Sequence, residues 1–125
     1  MTGIPNGIAK VRSIKDAEAL LNKIKDSIAA NGLVFMNQRR KNTQALADLG
    51  ITVEIQKKII NDLEATDYCG GPEKDEKYPW KEVAIFGYDF RGIELYIKFS
   101  IGLDGMAVVC LSFHESEHPM RYPFN

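Results

Sequence analysis

Apolar residues recur at helical spacing in the first half of the chain and at alternate positions from Glu82 onward. Ser13-Ile-Lys-Asp16 sets a hydroxyl N-cap three residues before a carboxylate. Ala17, Leu20, Leu21, Ile24 and Ile28 then predict a helix to about Ala30, stopped by Asn31-Gly32. Leu33-Val-Phe-Met36 reads as a short strand that delivers the basic cluster Asn37-Gln-Arg-Arg-Lys-Asn42. Thr43 is expected to cap a short helix that Gly50 ends. Thr52 opens the next helix, whose stripe of Ile55, Ile59, Ile60 and Leu63 reads most simply as core. Thr66 to Trp80, with Gly70-Gly-Pro72 and a dense run of charges, reads as a long loop.

Val83 to Phe90, Ile93 to Ile101 and Met106 to Phe113 read as antiparallel strands joined at Arg91-Gly92 and Gly102-Leu-Asp-Gly105. Helices followed by a meander predict an α+β domain, with the helices on one face of a C-terminal antiparallel sheet of three or four strands. At 125 residues the chain fits one domain, and residues 1–12 are expected to form a flexible arm.

Alternation puts Glu94, Tyr96, Lys98 and Ser100 on one face of their strand, and Leu95, Ile97 and Phe99 on the other, toward the helices. A two-residue turn pairs Phe90 with Ile93 and sets Gly87 opposite Tyr96, leaving open space beside the tyrosine ring. For the second hairpin, patterning favours Tyr96 opposite Ser112, Lys98 opposite Cys110 and Glu94 opposite His114. That register would gather Tyr96, Lys98, Ser112 and His114 on one exposed surface.

Composition narrows the function classes. No apolar run approaches a membrane span, and Met1 to Gly7 lacks a basic region followed by an apolar stretch, so a cytoplasmic protein with no membrane role is expected. Cys69 and Cys110, the two cysteines, are read as reduced and belong to no CxxC pair. The formal net charge of -1 argues against a broad cationic field, so no direct DNA binding is expected and any RNA site must be local. Arg39, Arg40 and Lys41 form one such cluster, for which solvated surface is the competing reading.

Phosphodiester cleavage by the RNA's own 2′-hydroxyl needs a base, a cation for the developing charge and an acid for the leaving oxygen. A histidine titrates near neutral pH, a lysine is a fixed cation, and a tyrosine stacks on a base or donates a proton. His114, Lys98 and Tyr96 fit those roles, and Arg121 could join the phosphate-binding surface. No metal or other cofactor is required. His114-Glu-Ser-Glu-His118 also invites a metal reading, but its i,i+4 spacing serves zinc on a helix, whereas this segment leaves a strand and meets Pro119.

In their order and spacing, several stretches resemble the MqsR family of ribonuclease toxins from bacterial type II toxin-antitoxin modules, in the branch with a His-containing C-terminus. They are Arg40-Lys-Asn42, Leu63-Glu-Ala-Thr-Asp-Tyr-Cys-Gly-Gly-Pro72, Ile85-Phe-Gly87, Glu94-Leu-Tyr-Ile-Lys98, and Ser112-Phe-His114 with Pro119-Met-Arg-Tyr-Pro-Phe124. The resemblance implies a RelE-like α+β fold, cleavage of mRNA during translation arrest or stress, and neutralisation by a cognate antitoxin. In the better-known branch a Tyr and a nearby Lys on the central strand match Tyr96 and Lys98, the Tyr being the active-site residue. A basic residue after the Ser-Phe of the last strand matches His114. The chain departs from that branch where its lysine falls at or near Gly70, and where its glutamine after a tryptophan has no counterpart near Trp80 to Glu82.

The resulting expectation is a metal-independent endoribonuclease. In it His114 acts as acid or base, Lys98 stabilises phosphate and Tyr96 positions a nucleotide, while Arg39, Arg40, Lys41 and Arg121 bind the backbone. The alternatives are a noncatalytic RNA- or protein-binding module of the same fold, and a metalloenzyme using His114 and His118.

Overall fold

The computed structural model describes residues 10–125. Most of the expected flexible arm therefore lies outside the described residues. Of its last three, Val11 packs against the core and the Arg12 amide donates to the Asp16 carboxylate at 2.9 Å.

Among the described residues the order is α1 (Ile14–Asn31), β1 (Leu33–Phe35), α2 (Arg40–Leu49), α3 (Val53–Asp62), a 3-10 turn (Ala65–Asp67), β2 (Tyr68–Lys74), β3 (Glu82–Phe90), β4 (Ile93–Ile101) and β5 (Val108–Glu115). The α+β class and the N-terminal placement of the helices are as expected. The sheet is larger than expected, with five strands in the order β1-β5-β4-β3-β2, and β1 runs parallel to β5.

Both long-range ends of the helical part are set by local chemistry. Ser13 Oγ accepts the Asp16 amide at 3.2 Å and starts α1, and Thr52 Oγ1 accepts the Ile55 amide at 3.2 Å and starts α3. Ala17, Leu20, Leu21 and Ile24 of α1, with Ile59 and Ile60 of α3, meet Phe86, Leu95, Ile97, Phe99 and Phe113 of the sheet in one buried cluster. Lys25 caps the α3 end, its ammonium donating to the Asn61 and Leu63 carbonyls at 2.8 Å each. A reciprocal amide pair, Asn37 with the fully buried Gln56 at 2.9 and 3.0 Å, ties the segment before α2 to α3.

α2 starts three residues before the expected cap. Thr43 sits inside the helix, and its hydroxyl donates to the Asn37 carbonyl instead of capping. The early start places Asn42 on the buried side, 2% exposed, where its side chain serves as a substitute strand. β1 follows β5 as far as the Met36 amide, which donates to the Cys110 carbonyl at 3.1 Å, and then departs. Beyond that point Asn42 Nδ2 donates to the Leu111 carbonyl at 3.0 Å and to the Met36 carbonyl at 2.8 Å, and Asn42 Oδ1 accepts the Phe113 amide at 2.9 Å.

The segment expected to be a loop contains β2. Its pairing with β3 is broken by register shifts between Tyr68 and Gly70 and between Gly70 and Glu73. Gly71 explains the irregularity: it has φ +91, and a Cβ there would stand 2.4 Å from the Val83 carbonyl oxygen. Gly-Gly-Pro is thus a bulged edge strand, the position where a sheet tolerates proline.

The first hairpin has the expected register, from Phe90 opposite Ile93 to Gly87 opposite Tyr96. The second does not. Met106 belongs to the turn, its amide donating to Leu103 at 3.1 Å, so Ser100 pairs with Val109 and Phe99 with Cys110. Leu111 is then extruded as a bulge, after which Lys98 faces Ser112, Ile97 faces Phe113 and Tyr96 faces His114. A bulge is required because Cys110 and Phe113, three residues apart, are both buried on the core face.

Asn42→Leu strands the buried Phe113 amide and takes one of two side-chain donors from the Leu111 carbonyl, which keeps Arg39, and should cost about 1 to 3 kcal/mol. Urea unfolding would measure it. A loss under about 0.5 kcal/mol would show that the amide does not hold the bulge.

Candidate functional site

The bulge in β5 makes Tyr96 and His114 direct cross-strand partners. Their rings stack with centroids 5.3 Å apart and planes 14° apart, so the imidazole covers one face of the phenol ring. His114 Nδ1 lies 2.9 Å from the Glu115 carbonyl oxygen. A carbonyl can only accept, so this contact holds the proton on Nδ1 and leaves the Nε2 lone pair for chemistry in the neutral ring. Burial, followed by the nearby Cys69, pushes the Tyr96 hydroxyl above its ordinary 10.0, so it stays a donor at neutral pH.

The space expected beside Tyr96 is filled. A Cβ on Gly87 would lie 2.2 Å from the Tyr122 hydroxyl oxygen, so the glycine is a seat for the C-terminal tail. Glu94 anchors that tail: Oε1 accepts from Ser116 Oγ at 2.9 Å and the Met120 amide at 3.0 Å, and Oε2 accepts from the Tyr122 hydroxyl at 2.9 Å. Further on, Phe124 stacks on Tyr68 at 5.6 Å on the β2 edge. Burial alone would push the Glu94 carboxyl up, but its donors outweigh it and hold the group below its ordinary 4.5. Burial, followed by the same contact, pushes the Tyr122 hydroxyl up.

Two clefts meet at His114. The smaller, about 400 Å³, is lined by Cys69, Ile85, Tyr96, His114, His118 and Arg121 among others. The larger, about 550 Å³, lies between α2 and the end of β5 and includes Arg40, Lys41, Gln44, Asp48, His114 and Glu117. Cys69 is a thiol rather than a thiolate, because burial and then the charge of Glu94 push it up to about 12.

The candidate residues from the sequence separate into three groups. Tyr96, His114 and Arg121 share the smaller cleft, and Arg40 and His114 both line the larger one. Lys98 stands one cross-strand pair away, opposite Ser112, and lines neither cleft; Ser112 is buried at 9% exposure rather than displayed beside it. Arg39 and Lys41 are drawn into protein contacts. The Arg39 guanidinium donates to the Leu111 carbonyl at 2.9 Å, and Lys41 pairs with Glu117 at 2.8 Å in an exposed ion pair. Its hydrogen bond to Lys41 holds the Glu117 carboxyl below its ordinary 4.5.

Glu94, expected opposite His114, meets Ser116 on that side instead, its carbonyl accepting the Ser116 amide at 2.9 Å. His114 and His118 both line the smaller cleft, but no group of three or more His, Cys, Asp or Glu side chains suited to a metal ion occurs among the described residues. The sequence reading missed Glu94, Tyr122 and Asn42 as organising residues. The Gly87 recess was visible in it, but the aromatic that fills it lies 35 positions further along the chain.

Comparison with family models, with curated proteins and with solved structures finds no match to this chain.

Glu94→Gln removes the charge and one acceptor, so the tail should loosen at neutral pH. Tryptic cleavage of the Arg121-Tyr122 bond should speed up several-fold, and an unchanged rate would sink the anchoring role. With its folded value below 4.5, wild-type Glu94 contributes its full stabilisation above that pH and loses it as the pH falls through the folded value. The Tyr122 ring resonances should therefore move toward unstructured values only on acidification below about 4.5 in the wild type, and show no such transition in the variant.

Proposed function

We propose that this chain is a metal-independent endoribonuclease that cleaves single-stranded RNA through the RNA's own 2′-hydroxyl. The observation that carries the reading is the Tyr96 and His114 stack at the junction of two clefts, with Arg121 on one side and Arg40 on the other. A strand laid across His114 has room for a nucleotide in each cleft and an arginine near each flanking phosphate. His114 Nε2 takes the 2′-hydroxyl proton, the 2′-oxygen attacks the adjacent phosphorus, and the bond to the 5′-oxygen breaks. The 5′-oxygen takes a proton from solvent as it leaves and His114 returns its own to solvent, so the products carry a 2′,3′-cyclic phosphate and a 5′-hydroxyl.

Arg121 stabilises charge on the phosphate, a role that a planar guanidinium fills well. Lys98 acts from one pair further along the same sheet face. Tyr96 orients His114 through the stack and offers its hydroxyl as a donor at the cleft, since one of its ring faces is occupied. The resemblance to MqsR-family toxins supports a RelE-like fold, an mRNA substrate in the cytoplasm and a cognate antitoxin as partner. The helices-then-sheet order agrees with that reading.

A second reading, a noncatalytic RNA- or protein-binding module, is favoured by one feature: Gly70 stands where the family carries a lysine, so β2 brings no cation from that position.

Purified protein incubated with single-stranded RNA and a chelator should generate 2′,3′-cyclic phosphate ends. His114→Ala should lower the rate by about 100-fold or more, the usual contribution of acid-base catalysis. Arg121→Ala should cost about 100-fold, the low end for loss of one charge-stabilising donor. Wild-type rates in His114→Ala would remove the assigned role, and binding without cleavage would favour the second reading.

A further inference from the structure

The turn between β2 and β3 carries Trp80, the sole tryptophan of the chain, 48% exposed, and Tyr78, 37% exposed. Their rings pack at 5.3 Å with a 58° tilt, and the ammonium groups of Lys77 and Lys81 stand 5.4 and 5.2 Å from the Tyr78 ring centre. The turn is built rather than loose. Asp75 Oδ1 accepts the Lys77 and Tyr78 amides at 2.8 and 3.2 Å, the Asp75 amide donates to the Lys81 carbonyl at 2.9 Å, and the Lys81 amide donates to the Tyr78 carbonyl at 2.8 Å.

Large aromatics held at a water-exposed hairpin tip contribute little to the core, and two cations gathered on one ring supply charge of the sign that phosphate requires. Of the acidic residues beside the rings in sequence, Asp75, Glu76 and Glu82, Asp75 has its carboxylate committed to the turn amides.

The geometry points to a second nucleic-acid contact, in which an unpaired base of single-stranded RNA stacks on Trp80 and Tyr78 while Lys77 and Lys81 meet its phosphates. Stacking platforms of this composition bind single strands with little sequence preference. The tip leads into β3 at Glu82, five residues before Gly87 and roughly 17 Å from the Tyr96 level, so one strand can reach both places. The contact needs no catalysis and stands or falls apart from the proposed cleavage.

Trp80 emission reports on the site directly. A 2′-O-methyl oligouridylate of about ten nucleotides, within the site sizes of single-strand binders, cannot be cleaved and serves as the probe. Saturating it should quench Trp80. Anisotropy of a labelled probe should show Trp80→Ala weakening binding about tenfold and Trp80→Phe restoring most of the loss. A Lys77→Gln, Lys81→Gln double variant should reduce the salt dependence of binding by about one phosphate equivalent or more. Unchanged emission at saturation, equal affinity in Trp80→Ala, or failure to bind the probe at all would overturn the assignment. Cleavage of natural RNA with unchanged Trp80 emission would leave the proposed reaction standing and remove only this site. Quenching without cleavage would do the reverse.

Discussion

One side chain decides which residues meet on the outer face of the sheet. Where β1 leaves β5, the Asn42 amide takes over the hydrogen bonds a neighbouring strand would have made, at the Leu111 carbonyl and the Phe113 amide. Leu111 can then stand out of the β4 ladder without leaving buried backbone groups unpaired. The extruded residue moves everything after it by one position, which returns Phe113 to the core and brings His114 opposite Tyr96. A regular continuation of the Phe99 and Cys110 register would have put Phe113 opposite Tyr96, on the wrong face. Packing and site are therefore set by the same amide.

Much of this was legible in the residues, and the failures have definite causes. The caps at Ser13 and Thr52 and the first hairpin follow from interactions within a few residues, so spacing alone finds them. The second hairpin misled because strand periodicity assumes an unbroken ladder. Its warning was present, since Cys110 and Phe113 cannot share a face of a regular strand. The cue was outweighed by the polar residues Ser112 and His114, which looked best together on one exposed surface. β2 escaped notice because glycine, proline and charge describe an edge strand as well as they describe a loop. The parallel β1 and β5 pair joins residues far apart in sequence, and no local pattern announces such a pairing.

The C-terminal tail belongs to the site more than to the fold. Its aromatics were legible as a device for pinning it down, but their seats were not: Gly87 and Glu94 acquire that role only when β3 and β4 pair. Glu94 gathers Ser116, Met120 and Tyr122 around one carboxylate, and the turn so fixed carries His118 and Arg121 along the cleft wall. One part-buried carboxylate on the outer sheet face thus fixes the segment that carries Arg121, which the sequence could only propose as a surface charge.

A net charge of -1 sits uneasily with RNA binding when charge is averaged over the surface. The arrangement of the acids changes that comparison. Glu94 is surrounded by donors, Asp75 is spent on turn amides, and Glu117 is neutralised by Lys41, whereas Arg40 and Arg121 flank His114 in its two clefts. On the proposed reading, attraction for a phosphate chain would be short-ranged and confined to the clefts, since within a Debye length of about 8 Å local groups outweigh the distant total. RNA affinity, under that proposal, would have to come from placement and stacking more than from long-range steering, so the register at Tyr96 and His114 would matter more than on a strongly basic surface.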